Sequence, residues 1–437
     1  MQPIVAVVGR PNVGKSTLFN RLVGERISIV EDEPGVTRDR IYADASWQSH
    51  NFTLIDTGGM DPASTEMIPK KIMEQAQLAI ETADVIVFVV DVKSGVTEGD
   101  LDAADILRRS KKPVVLAVNK VDDQRRDDFN VYEFYELGLG EPMAVSAANM
   151  LGLGDLLDAI CGHFSNFAEQ EEEDVIRVAI VGKPNVGKSS IINRILGEER
   201  VIVSDIAGTT RDAINTPYEK DGQKYMLIDT AGIRRQSKIK ESIEKYSFLR
   251  AVAAVERCDV CVLVISAEEG ITDQDTKIAG IAHEKGKAAI VVVNKWDLIE
   301  KDNKTMANYT KDIEEELKYM SYAQKLFISA KTGQRINNLF EMVKIANENA
   351  ALRIQTGILN EVLIEAMSMN PPAAIKGKAL RVYYVTQVSV KPPTFILFVN
   401  NFELLHFSYK RYLENQLRQN FGFKGTPIHF IVRNRKE

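Results

Sequence analysis

The stretch Gly9-Arg10-Pro11-Asn12-Val13-Gly14-Lys15-Ser16 follows the apolar run Ile4–Val8 and opens a helix at Lys15. A strand, a loop bounded by glycines and a helix, in that order, turn backbone N–H groups inward around an anion. They do so at a helix N-terminus, where the peptide dipoles already favour negative charge. Lys15 would set its ammonium against the β- and γ-phosphates of a nucleotide, and Ser16 would offer its hydroxyl to Mg²⁺. The same stretch returns as Gly182-Lys183-Pro184-Asn185-Val186-Gly187-Lys188-Ser189, an offset of 173. A ligand-free glycine turn is not expected to recur in the same strand-loop-helix setting.

Working outward, other pairs keep the spacing. Thr37-Arg38-Asp39 returns as Thr210-Arg211-Asp212, and Asp56-Thr57-Gly58-Gly59-Met60 as Asp229-Thr230-Ala231-Gly232-Ile233, both at 173. Asn119-Lys120-Val121-Asp122 returns as Asn294-Lys295-Trp296-Asp297 at 175, and Ser146-Ala147 as Ser329-Ala330 at 183. A repeat this long is a duplicated domain, because solenoid units span roughly 20 to 50 residues. The run Glu169-Gln170-Glu171-Glu172-Glu173-Asp174 has five acids in six positions, a composition that stays solvated. The expected division is therefore domain one at 1–167, an acidic linker at 168–175, domain two at 176–349 and an unrelated tail at 350–437.

In each copy short apolar strands (Ile4–Val8, Phe52–Ile55, Val85–Val90, Val114–Val118) alternate with helical patterns such as Leu101–Leu107. That order predicts α/β domains, each a mostly parallel sheet with helices on both faces. The tail reads helix Ile358–Met367, strands Leu380–Val388 and Thr394–Val399, helix Tyr409–Phe421 and strand Ile428–Val432, a small α+β domain. It holds 12 Lys and Arg against 5 Asp and Glu, a net +7 on a chain of net −6, so the remainder carries −13. The chain has 437 residues, 45% hydrophobic and 27% charged, which excludes a disordered or fibrous protein. No apolar run reaches membrane-spanning length, and neither a secretory leader nor a lipidation signal is read at the ends. A soluble cytoplasmic protein is expected. Cys258 and Cys261 form a CxxC, but they open the strand-like run Cys-Asp-Val-Cys-Val-Leu-Val-Ile, and the sister copy has Ala83 and Ile86 there. Core packing is expected of them, not metal or redox chemistry.

Asp56 and Asp229 each end an apolar strand that delivers them towards the phosphates, to bind Mg²⁺ through water. Gly59 and Gly232 would let a backbone N–H approach the γ-phosphate. Asn119-Lys120-Val121-Asp122 and its counterpart choose the base. Guanine offers two adjacent donors that one carboxylate accepts together, whereas adenine would leave Asp122 or Asp297 desolvated and unpaired. Lys120 and Lys295 would lie along the ring, and the Ser146-Ala147 and Ser329-Ala330 backbones would meet guanine O6. The nucleotide read from these motifs is GTP or GDP. Thr37 and Thr210, in polar loops between the first helix and the next strand, are the candidates to close on Mg²⁺ and the γ-phosphate, although Thr209 adjoins Thr210 and only the register favours the latter. Catalytic candidates are Lys15, Thr37, Gly59, Lys188, Thr210 and Gly232; Mg²⁺ candidates are Ser16, Thr37, Asp56, Ser189, Thr210 and Asp229.

With these motifs in hand, the chain resembles the translation-factor-related P-loop GTPases. Its tandem domains and basic tail are similar to the bacterial Der (EngA) family across essentially all 437 residues. The resemblance implies a GTPase acting in late assembly of the large ribosomal subunit, monomeric when free, with a KH-like tail that binds rRNA and not DNA. It also bears on catalysis. The position that carries a water-orienting Gln in Ras-like enzymes is Met60 or Ile233 here, so other groups must hold the water. Asn12 and Asn185 match an asparagine that in potassium-activated relatives helps hold K⁺ beside the phosphates, where a cation would stabilise transition-state charge. Arg38 and Arg211 could serve as internal arginine fingers, but are expected instead to be solvated switch-loop residues or RNA contacts.

Gly422-Phe423-Lys424-Gly425 spells GxxG, yet it falls between the last helix and the last strand, where a helix cap explains it equally. No phosphate-clamping role is assigned to it. Most of the tail rings Tyr383, Tyr384, Phe395 and Phe398 are expected in the core, and Lys391-Pro392-Pro393 is expected to be an exposed turn reaching RNA or a neighbouring domain. Two rivals stand beside this reading. One is an RNA-modifying enzyme, which would need a further catalytic domain or an essential thiol. The other is a signalling or cell-division GTPase working through protein partners.

Overall fold

The computed structural model describes residues 2–23, 42–48, 50–57, 76–122, 130–164, 175–198, 215–230, 243–372 and 378–434. The chain separates into two compact units, 1–173 and 174–437.

In the first unit the strands are β1 (Ile4–Gly9), β2 (Tyr42–Trp47), β3 (His50–Asp56), β4 (Val85–Asp91), β5 (Val114–Asn119) and β6 (Pro142–Ala144). They form one sheet in the order β2-β3-β1-β4-β5-β6. Every pairing is parallel except β2 with β3. β1 and β4 are buried along their whole length, as continuous Val/Ile runs are when helices cover both faces. One face packs Val5, Val7, Val85 and Val87 against Leu18, Phe19 and Leu22 of α1 (Lys15–Val23). On the same side lie Leu156, Leu157 and Ile160 of a later helix. Helix α2 (Glu98–Ser110) starts from a Thr97–Asp100 capping box, and α3 (Leu153–Gly162) is that later helix. The edge strand β2 escapes a reading by apolar pattern because only Ala45 of its six residues is buried. Its antiparallel register against β3, not hydrophobicity, makes it a strand.

The second unit repeats the plan. Its strands are β7 (Val175–Val181), β8 (Thr216–Lys220), β9 (Gln223–Ile228), β10 (Val260–Ser266), β11 (Ala288–Asn294) and β12 (Gln324–Phe327), ordered β12-β11-β10-β7-β9-β8. Only β8–β9 is antiparallel. Helices α4 (Lys188–Glu198), α5 (Ile243–Arg257), α6 (Asp273–Glu284), α7 (Thr305–Glu316) and α8 (Asn338–Ala351) complete it. Cys258 and Cys261 are free, buried thiols, and burial pushes Cys258 up to about 12. Among the described residues no group of three or more His, Cys, Asp or Glu could hold a metal. Nor is any described helix long and apolar enough to cross a membrane.

The tail follows as α9 (Thr356–Met369), β13 (Val382–Ser389), β14 (Thr394–Val399), α10 (Phe407–Phe421) and β15 (His429–Asn434), the expected order. β13 pairs antiparallel and β15 parallel with β14. Leu359, Leu363, Leu413 and Leu417 of the helices pack on Phe395, Leu397 and Val399 of the sheet. The expectation for the rings holds for Phe395, which is fully buried, but Tyr383 and Tyr384 are exposed. Phe398 is half-buried, because it and Tyr384 alternate onto the sheet face away from the core, and the register shift between Val382 and Tyr384 leaves Tyr383 exposed too.

The turn Gly422–Gly425 docks the tail onto the second sheet. Gly425 N donates to Tyr322 O at 2.9 Å and Gly425 O accepts from Ala289 N at 2.7 Å. Gly425 has φ +78°, and a Cβ there would stand 2.7 Å from that of Ala346. Arg418 lies over the Tyr322 ring at 5.4 Å and donates to Phe423 O and Thr426 O. The Lys391-Pro392-Pro393 turn reaches the neighbouring domain too. A Cβ on Gly286 would lie 2.5 Å from Pro392 Cγ, Lys391 N donates to Ala350 O at 2.8 Å, and Pro393 is buried, not exposed. His283 sits in this joint, where burial, then His429 and Arg418, press it down to about 4.

Gly425→Val adds a left-handed backbone penalty on the order of 1–3 kcal/mol and a side chain with no room. Hydrogen exchange at the Ala289 and Gly425 amides is expected to quicken while the β7 amides keep their protection. Unchanged rates at the joint would refute the docking role.

Two matched candidate nucleotide sites

Each site begins where a central strand runs into a glycine. Gly9 ends β1 with φ +157°, and a Cβ there would lie 2.3 Å from Val89 O of the adjacent strand; Gly182 stands 2.2 Å from Val264 O in the same way. Only hydrogen at Cα lets the loop leave the sheet so close to its neighbour. The loop crest holds Asn12 and Asn185 in left-handed conformation, φ +66° and +65°. α1 and α4 start immediately after, at Lys15 and Lys188.

Both loop lysines fold back over the loop. Lys15 Nζ donates to Gly9 O at 2.8 Å and Arg10 O at 2.6 Å. Lys188 Nζ donates to Gly182 O at 2.7 Å and Lys183 O at 2.6 Å. Burial is the main influence on both ammonium groups and brings each down to about 8, opposed by Asp56 at the first and by Asp275 and Asp229 at the second. Ser16 Oγ donates to Asp56 Oδ2 at 2.9 Å, so a hydroxyl and a carboxylate oxygen stand together at the loop end. That hard-oxygen pair fits Mg²⁺. Thr57, beside Asp56, is buried and donates through Oγ1 to Val7 O at 2.7 Å.

Asn119 has a role the sequence reading missed. Its Nδ2 donates to Val13 O at 2.8 Å and its Oδ1 accepts from Ala147 N at 3.0 Å. The carboxamide thus clasps the phosphate loop to the Ser-Ala loop. Asn294 repeats this with Val186 O at 2.8 Å and Ala330 N at 3.0 Å. A side chain on Gly14 or Gly187 would strike the Asn Nδ2 at 2.3 or 2.2 Å. The signal lay in the repeat itself, since Asn119 and Gly14 both recur.

The candidate base-selecting residues are wired differently in the two copies. Lys120 Nζ is held by Asn12 O at 2.7 Å and Asp91 Oδ2 at 2.6 Å. Asp122 accepts from Lys93 Nζ at 2.8 Å, Ser146 Oγ at 2.9 Å and Asn149 Nδ2 at 3.1 Å. Lys93 first, then Ser146, holds its carboxyl below the usual range. At the offset of 175 Lys93 becomes Glu268, and Glu268 Oε2 instead accepts from Lys295 Nζ at 3.0 Å. Asp297 is lowered chiefly by the Ser329 hydroxyl. Asn185, Gly187, Asn294, Lys295, Asp297 and Ala330 line a cavity of about 420 Å³, within the range of small-molecule sites. Val121 and Trp296, between the reading residues, are buried and point into the core.

The loop residues, Asp56, the base motifs and both Ser-Ala pairs thus lie together at the ends of β1, β3, β5 and their counterparts. Thr37, Gly58, Gly59, Met60, Thr210, Ala231, Gly232 and Ile233, with Arg38 and Arg211, lie outside the described residues. The second position of each loop was read only as loop backbone, yet its side chain ties the loop to the segment that follows β4 or β10, at α2 in the first copy and in the turn before α6 in the second. Arg10 Nε donates to Asp100 Oδ1 at 3.0 Å, and Lys183 pairs with Glu269.

The chain matches the family model described as 50S ribosome-binding GTPase over residues 4–120 and 177–295. Residues 353–433 match the KH-domain-like C-terminal domain of EngA bacterial GTPase enzymes. GTPase Der of Agathobacter rectalis is 61% identical over 437 residues, 100% of this chain and 99% of the relative. GTPase Der of Alkaliphilus metalliredigens is 62% identical over 435 residues, 99% of each chain. Fold, sites and matches define a tandem P-loop GTPase with a KH-like tail. The chain belongs to the GTPase Der family.

The buried lysines carry a pH signature. Between pH 8 and 10.5 the folded chain has released the Lys15 proton and the unfolded chain still holds it. The unfolded state then binds more protons, so stability rises with pH in that window. Relative to Lys15→Met, the nucleotide-free protein is expected to gain on the order of 2–3 kcal/mol across it, read from urea midpoints at each pH. A constant difference would count against a desolvated ammonium.

Proposed function

We propose that both halves bind and hydrolyse GTP, and that nucleotide state controls the grip of the protein on ribosomal RNA during late assembly of the large subunit. The observation carrying the first part is the clasp. One asparagine in each copy joins the phosphate loop to the loop beside the base-selecting Asp. The second part is supported by the family-model description, 50S ribosome-binding GTPase, and by the +7 charge of the tail, which attracts polyanions. The same support favours the ribosomal reading over the signalling one, and a cytoplasmic location and a monomeric free state belong to the same proposal.

The proposed roles follow the geometry. Lys15 and Lys188, held over the loop by two carbonyls each, would exchange those carbonyls for β- and γ-phosphate oxygens and neutralise charge as water attacks phosphorus. Ser16 with Asp56, and Ser189 with Asp229, would hold Mg²⁺, which supplies charge neutralisation on the phosphates. Thr37 and Thr210 would complete those ligand sets, and the Gly59 and Gly232 amides would approach the γ-phosphate. Asp122 and Asp297 would accept both guanine donors, the flanking Val121 and Trp296 anchoring each motif in the core. Met60 and Ile233 offer no polar group for water, so we assign K⁺ to Asn12 and Asn185, where it would add positive charge at the transition state. The domain division 1–167, 168–175, 176–349 and 350–437 belongs to the same proposal.

Asp122→Asn and Asp297→Asn are each expected to lower GTP affinity at one site by roughly a hundredfold or more. Calorimetry would then find one GTP per chain in place of two; two tight sites in either variant would defeat the assignment. Turnover in KCl is expected to exceed that in NaCl at equal ionic strength, and equal rates would remove K⁺ from the mechanism.

A further inference from the structure

The outer face of the tail sheet carries chemistry that neither the nucleotide sites nor the docking turn uses. Alternation along the strands sends Val385, Phe395, Leu397, Val399 and Phe430 into the core. On the other face the register aligns Tyr384, Phe398 and Arg433 in one row, with Thr386, Ile396 and Ile431 in the next. Tyr384 and Phe398 stack with centroids 4.3 Å apart and planes 17° from parallel. Tyr384 and Ile431 are each 42% exposed. At the near edge the Arg381 guanidinium lies over the exposed Tyr383 ring at 5.4 Å.

The charge on this face has one sign. β13, β14 and β15 contain no Asp or Glu. Among the described residues the tail acids are Glu361, Glu365 and Glu414, on helices packed against the opposite face, and Glu403, in the turn after β14. An exposed Tyr384 stacked on a half-buried Phe398 beside arginines, with no carboxylate on the strands, suits flat bases joined by phosphates better than an apolar protein segment.

We propose that this sheet face is a stacking platform for single-stranded RNA, with bases laid on Tyr384 and Phe398 and phosphates met by Arg433 and Arg381. It rests on the reading of the protein as an RNA binder and moves the contact away from Gly422–Gly425, whose backbone is engaged in docking.

The test uses the full chain and a fluorescein-labelled oligouridylate of about 12 nucleotides, within the site sizes of stacking proteins. Tyr384→Ala is expected to weaken binding roughly fivefold to a hundredfold, while Tyr384→Phe keeps it and GTP turnover is unchanged. Arg433→Gln is expected to reduce the dependence of log affinity on log salt by about one phosphate contact, and it decides the matter should Tyr384→Ala fail to fold. Lys424→Ala, in the docking turn, is expected to bind as wild type. RNA bound equally by wild type and Tyr384→Ala, or lost in Lys424→Ala instead, overturns the platform and leaves the RNA reading standing. No RNA bound by wild type overturns both.

Discussion

A single carboxamide in each half holds the site architecture together. Asn119 and Asn294 give both ends of the side chain to backbone, one to the carbonyl before the second loop glycine and one to the amide of the Ser-Ala loop. Both asparagines are buried, so the two bonds are made away from competing water, where losing a partner costs more than the bond nets. The clasp also accounts for a glycine at the next loop position, because any side chain there would meet the amide nitrogen. Phosphate loop and base loop therefore cannot move independently.

The sheets supply the rigid frame for that clasp. Central strands buried on both faces fix the ends of β1 and β7, and the loop glycines let the chain turn beside the next strand's carbonyl. Against this frame the two loop lysines are held in surroundings that disfavour their charge. An ammonium kept short of water and satisfied by two carbonyls would gain from a stronger counter-charge, which relieves its desolvation, and the proposed exchange for phosphate oxygens rests on that.

Much of this was legible in the sequence because it repeats. Two copies of one loop, in one strand-helix setting, settled the α/β class and aligned Asp56 with Asp229 and Asn119 with Asn294. The antiparallel edge strand Tyr42–Trp47 stayed hidden because one buried alanine makes no pattern, and its pairing to β3 comes from a distant register that its own residues do not announce. The clasp stayed hidden because a side chain reaching a residue 106 positions away leaves no local trace. In the tail, composition marked the basic charge and the helix-strand order. It did not show that Gly425 faces Tyr322 and Ala289, or which rings leave the core.

The exchange of Lys93 for Glu268 gives the two halves different charges around one shared outline. In both, an outside anion leans on the lysine of the candidate base motif, Asp91 in the first and Glu268 in the second, and the first adds a cation, Lys93, on the carboxylate. Mobile ions thin these contacts, and in the first half they free an acceptor as well as a donor. A shift in ionic surroundings thus reaches the paired pockets as two different messages, and a duplication that looks redundant by motif is not redundant by charge.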